Sequence, residues 1–144
     1  MAVYLDTSIL VPLFFREPAS ERALDRIAVE RELWLSRWAL TEFSSAMSFK
    51  IRFGQCSEAI AADAIRLLEE KLSQGYFCLA ELERDDFATA GRLCRAPQSG
   101  LRTADALHAA IALRLALPLL TGDKRQADGC RYHAIACEYL APAV

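Results

Sequence analysis

The sequence predicts an α/β fold: a three-layer α/β/α sandwich with a central parallel sheet of four to five strands, in one domain spanning residues 1–144. Three features point there. Short apolar runs such as Ala2–Leu5 and Leu117–Leu120 show no polar alternation, as expected of strands covered on both faces. They alternate with longer stretches whose apolar residues recur at three- and four-residue spacing, the mark of helices with one buried stripe. Helix outweighs strand, with a helical excursion between residues of about 37 and 73.

In chain order, Ala2–Leu5 is the first strand, and Ile9–Arg16 a helix that Glu17-Pro18 breaks. Ser20–Arg31 follows as an amphipathic helix with Ala23, Leu24, Ile27 and Ala28 inward. Leu33–Ser36 is a second strand, and Trp38–Arg52 a helix with Leu40, Phe43, Ala46, Met47 and Ile51 near one face, ended by Gly54. Ser57 and Glu58 open a helix through Leu72, its stripe on Ile60, Ala64, Leu67 and Leu68. Tyr76–Ala80 reads as a third strand, and Asp85–Cys94 as a helix with Phe87, Ala90 and Leu93 inward. After a loop with Pro97 and Gly100, Thr103 caps a helix through Leu115. Leu117–Leu120 is the fourth strand, Lys124–Asp128 a short helix, and His133–Ala136 a last edge strand.

The bulk composition excludes several classes. An apolar fraction of 53% argues against disorder. No run approaches the roughly 20 apolar residues of a membrane span. A basic n-region and small-residue cleavage site are missing, so the expected location is cytoplasmic. The net charge of −2 does not advertise a nucleic-acid binder, although a divalent cation would change the local sign. Five scattered cysteines form no C-x-x-C pair and read as small buried residues rather than zinc ligands.

Four acids stand at element ends. Asp6 follows the first strand and Asp123 the fourth; Glu42 and Asp105 sit near helix starts. Each alone is explicable as a cap, since a helix N-terminus stabilises a negative charge by about 0.3–1 kcal/mol. Their flanks are apolar, however, and Asp105 leads the run Ala106–Ala112. Ligands in open α/β sheets bind just beyond the carboxyl ends of the strands. Carboxylates gathered there repel one another, and hard oxygen donors in excess suit Mg²⁺ or Mn²⁺. Ser8 and Thr121 can orient a carboxylate or a bound water. His108, on the same helix as Asp105, reads as a packed side chain, and neither it nor His133 is needed as a base.

Together Asp6-Thr7-Ser8, Glu42 in Leu-Thr-Glu-Phe, Thr103-Ala104-Asp105-Ala106-Leu107-His108 and Thr121-Gly122-Asp123 resemble a PIN-domain protein, and within that superfamily the VapC toxins of type II toxin–antitoxin pairs. The resemblance covers the chain to about Asp128. It implies a PIN-like fold and an Mg²⁺- or Mn²⁺-dependent endoribonuclease, with the acid set on Asp6, Glu42, Asp105 and Asp123. It further implies a structured RNA substrate, often transfer RNA, a homodimer, and silencing by a cognate antitoxin laid across the groove. On that reading Asp6, Asp105 and Asp123 hold one or two cations, while Glu42 ligates or orients the attacking water. Candidate RNA contacts are Arg16, Lys50, Arg52, Arg102, Lys124 and Arg125, which frame the crevice. Trp34 and Trp38 are read as core residues, and Asp128 as a candidate further acid of the site. The rival readings are an Mg-binding receiver-like signalling domain, a non-catalytic PIN-like scaffold, and a nuclease acting on DNA.

Overall fold

The computed structural model describes residues 1–142. Five parallel strands form one sheet in the order β3-β2-β1-β4-β5: β1 Ala2–Leu5, β2 Glu32–Ser36, β3 Cys78–Ala80, β4 Leu119–Thr121 and β5 Cys137–Tyr139. The chain winds outward from β1 on one side as far as β3, then returns to lay β4 on the other. The topological switch therefore falls between β1 and β4, where the flanking connections diverge and leave a crevice. Asp6 and Asp123 follow those two strands.

Side chains alternate across the sheet and divide the core in two. Val3, Leu5, Leu33, Leu35 and Leu120 pack on one face against α1 (Thr7–Phe14), α2 (Ser20–Ile27), α3 (Arg37–Arg52) and α4 (Glu58–Ser73). Tyr4 and Leu119 face the other layer, made by α5 (Arg84–Cys94), α6 (Thr103–Leu115) and α7 (Lys124–Tyr132). Seven consecutive residues of α6, Ala106–Ala112, are buried, as the apolar run foretold. Arg114 anchors α6 to α5 through a two-nitrogen contact with Asp86, at 2.8 and 2.9 Å.

Several expectations need correction. The segment 133–136 is not the edge strand: α7 continues through Tyr132, Ala134 adopts a left-handed φ of 54°, and Ile135 N–H bonds back to Cys130. Pairing with β4 begins only at Cys137. Thr103 is the first helical residue of α6 rather than its cap, which is Arg102. Leu24, Ile60, Leu67 and Phe87, which the helical spacing turns inward, are instead 40–54% exposed. The small residues beside them do the packing instead: Ala23 on α2, Ala61 and Ala64 on α4, Ala90 on α5. Trp34 and Trp38 are partly buried against the second core, as expected.

Gly129 sets the spacing between α7 and the 3₁₀ turn Pro97–Ser99 that leads into α6. A Cβ there would lie 2.5 Å from Leu101 Cγ and Cδ2 and 2.9 Å from the Ser99 carbonyl oxygen. We expect Gly129→Ala to force these elements apart and cost about 1–3 kcal/mol, read as a lowered urea midpoint at unchanged slope. An unaltered midpoint would show that the contact is not tight.

Candidate active site

Asp6, Glu42, Asp105 and Asp123 line one cleft of about 140 Å³, together with Thr7, Ser8, His108 and Gln126. It opens at the β1/β4 switch point, so residues distant along the chain meet where the topology predicts a ligand.

Asp6 is the most buried of the four, 3% exposed, and caps α1. Ser8 Oγ donates to its Oδ1 at 2.5 Å and Thr121 Oγ1 to its Oδ2 at 2.6 Å, with Ile9 N–H at 3.3 Å. Both hydroxyls face two ways. Ser8 Oγ also accepts from Gly122 N–H at 2.7 Å, and Thr121 Oγ1 from Asp123 N–H at 3.0 Å. Burial pushes the Asp6 carboxyl above its ordinary value, partly offset by these donors.

Glu42 lies in the second turn of α3. Its Oε1 is 2.5 Å from His108 Nε2 and accepts from Thr7 Oγ1 at 2.7 Å. Burial would raise Glu42, but the His108 contact and Thr7 outweigh it and hold the carboxyl below the usual glutamate range. Asp105, in the first turn of α6, receives a long bond of 3.4 Å from Arg102 N–H. Arg102 offers no side-chain acceptor in return, so this cap is one-sided. Burial raises Asp105, and the neighbouring charge of Asp123 raises it further against the Arg102 backbone bond. Asp123 caps α7, its Oδ1 accepting from Arg125 N–H at 2.8 Å and Gln126 N–H at 3.4 Å.

Among the described residues no three His, Cys, Asp or Glu side chains close into a ready cation cage. Protein hydrogen bonds engage both Asp6 oxygens, Glu42 Oε1, Asp105 Oδ2 and Asp123 Oδ1. Donor chemistry still fits Mg²⁺ or Mn²⁺, being oxygen-only on three aspartates, two of which repel each other. Asp6, Asp105 and Asp123 are the residues that would hold such an ion.

The proposed cations divide. Lys50 is ion-paired with Glu17 and lies 4.3 Å from the centre of the Phe15 ring, so it is not a free contact. Lys124 is paired with Asp128 at 2.6 Å; Asp128 also binds Arg131 and does not line the cleft. Arg16, Arg52 and Arg125 are exposed. Arg102 is exposed too, its Nε 3.9 Å from Asp105 Oδ2. Three lining residues were given no role in the site by the sequence: Gln126, His108 and Thr7, the last of which donates to Glu42. Gln126 bridges Thr121 and the Asp105 carbonyl, and His108, buried as expected, also engages Glu42. The position of His108 on the same helix face as Asp105 was the available signal for it.

The profile of the PIN domain family matches residues 3–131. The chain belongs to the PIN domain family. The receiver-like reading falls with that assignment. No curated protein matches the chain by sequence. Solved structures show the same PIN fold. VapC20 from Mycobacterium tuberculosis, described as a sarcin-ricin loop cleaving toxin, is 18% identical over 87% of this chain and 92% of its own, with a TM-score of 0.66. FitAcB from Neisseria gonorrhoeae is 17% identical over 95% and 96%, TM-score 0.69. VapBC-5 from Mycobacterium tuberculosis, of the VapBC toxin–antitoxin family, is 22% identical over 97% and 98%, TM-score 0.63. Among the described residues no helix of this PIN domain is long and apolar enough to cross a membrane.

The raised Asp6 carboxyl fixes a sign. The folded state binds its proton more tightly than the unfolded chain does. The stability this one group contributes is therefore fully present below the ordinary aspartate range and is lost as pH rises through the folded value. Metal-free Asp6→Asn should melt no lower than the metal-free parent at pH 7, its relative advantage shrinking as the pH is lowered. A clear drop in its midpoint would make Asp6 chiefly a cap for α1.

Proposed function

We propose that this PIN domain is a metal-dependent endoribonuclease and the toxin of a toxin–antitoxin pair. The observation that carries the reading is the convergence of four carboxylates from four elements on one small cleft at the switch point. PIN nucleases typically use divalent ions, and the oxygen-only aspartate set suits them. When bound, Mg²⁺ or Mn²⁺ would lower the pKa of a water and offset charge gathering on the scissile phosphate.

The chain's own residues supply the rest. Asp6, Asp105 and Asp123 hold the ion, with Ser8 and Thr121 fixing the Asp6 carboxylate so that it cannot swing away. Glu42, kept ionised by His108 and Thr7, orients the attacking water and receives its proton. Arg102 and Arg125, on the rim beside Asp105 and Asp123, meet the flanking phosphates. RNA, including transfer RNA, is the substrate class we assign.

An apolar groove of about 580 Å³ adjoins the cleft, sharing Thr7, Ser8 and Glu42 with it and continuing over Val11, Ala46 and Phe49. A cognate antitoxin seated there would close the site. Exposed Ile60 and Leu67, seven residues apart on α4, offer one apolar face for a homodimer.

Purified Asp105→Asn should lose metal-dependent cleavage of total RNA by at least about a hundredfold while its circular dichroism is unchanged. Full activity in that variant would remove the scheme. DNA cut in preference to RNA would reassign the substrate, and an inert parent would favour a scaffold. Arg102→Ala and Arg125→Ala should each weaken RNA binding and reduce the slope of log K against log salt by about 1. Slopes equal to the parent's would place the phosphates elsewhere.

A further inference from the structure

His108 and Tyr4 form a buried train of polar groups that ends on Glu42. Tyr4 is fully buried in the central strand and His108 is 3% exposed on α6. Tyr4 OH lies 2.8 Å from His108 Nδ1 and 2.8 Å from Ser36 Oγ, and Ser36 Oγ accepts from Ala39 N–H at 3.2 Å as the cap of α3. His108 Nε2 meets Glu42 Oε1, the same oxygen that Thr7 Oγ1 binds.

Proton positions follow from what each group can do. A carboxylate only accepts, so the proton between His108 and Glu42 belongs to Nε2. Burial pushes the Tyr4 phenol above its ordinary value, so it remains an O–H. One continuous direction satisfies every atom: Ala39 N–H to Ser36 Oγ, Ser36 O–H to Tyr4, Tyr4 O–H to His108 Nδ1, and His108 Nε2–H to Glu42. Leaving any of these buried groups unpaired would cost about 1–3 kcal/mol, so the train resists rearrangement. It starts at the cap of the helix that carries Glu42 and returns to Glu42 through β1 and α6.

We propose that His108 and Tyr4 are positioning residues for Glu42, the imidazole Nε2–H and Thr7 jointly holding Oε1 so that Oε2 is left to act on the attacking water. The proposal rests on the nuclease reading of the cleft. His108 does not touch substrate and is not itself the base. Tyr4 acts one step further back, fixing the ring so that Nε2 keeps its proton and its aim.

The experiment is a double-mutant cycle with a spectroscopic arm. His108→Leu should lower kcat by about 10–100-fold, the usual effect of removing a partner that orients a metal-site ligand. Its KM for RNA and the Mn²⁺ affinity of the protein should stay within about twofold of the parent. His108→Gln, which keeps an N–H donor, should recover part of the loss, and Tyr4→Phe should show a smaller loss of the same kind. In a Glu42→Ala background His108→Leu should cost less than about twofold, because nothing is left to position. An equal loss in both backgrounds, or none in the first, would overturn the proposal. The metal-free parent provides a readout independent of activity. Nitrogen-15 NMR of the imidazole should show a proton on Nε2 whose resonance shifts upfield in Glu42→Ala. Nε2 without a proton in a chain that cleaves RNA would overturn the positioning alone. The expected resonance in a chain that cleaves nothing would sink the nuclease reading and with it any role in that reaction.

Discussion

A carboxylate buried at the end of the central strand governs this molecule. Taking the Asp6 charge out of water would be prohibitive without compensation, and among the described residues no lysine or arginine reaches it. Hydroxyls do the work instead. Ser8 and Thr121 each give Asp6 a hydrogen bond and take one from the backbone of the Thr121–Asp123 turn. The same groups that make the buried acid tolerable thus fasten the end of β1 to the end of β4. Asp123 follows two residues after Thr121, so its place in the cleft is a consequence of how Asp6 is satisfied.

The four acids are held in two different ways. Asp6 and Glu42 are gripped by neutral donors or by an imidazole from elements across the cleft. Asp105 and Asp123 rest on backbone N–H groups at the starts of α6 and α7, and each raises the other's energy. Such a site is half built: one side is rigid and the other retains its mutual repulsion, which a divalent cation can relieve.

Much of this was legible in the residue order because its signals are local. Asp6-Thr7-Ser8 and Thr121-Gly122-Asp123 each carry an acid and the hydroxyl that serves the site within three positions, next to an apolar strand. The buried helix after Asp105 was equally plain. Pairings that only the fold creates were not. His108 and Glu42 are 66 residues apart, and a lone histidine in an apolar helix looks the same whether it merely packs or also binds. Helix stripes misled where alanine sat next to a larger apolar residue. Ala61 and Ala64 let α4 lie close to the core, which turned Ile60 and Leu67 outward. The edge strand was placed too early because nothing in His133–Ala136 announces that Ala134 will take a left-handed conformation.

The sheet order has a consequence for synthesis. Because β1 is the innermost strand and β4 its second neighbour, the first eighty residues can assemble three strands on a ribosome with only Asp6 and Glu42 among the four acids in hand. The opposite wall of the cleft waits for translation to pass Asp123. A nascent polypeptide of this design therefore lacks the complete carboxylate set until its last third emerges.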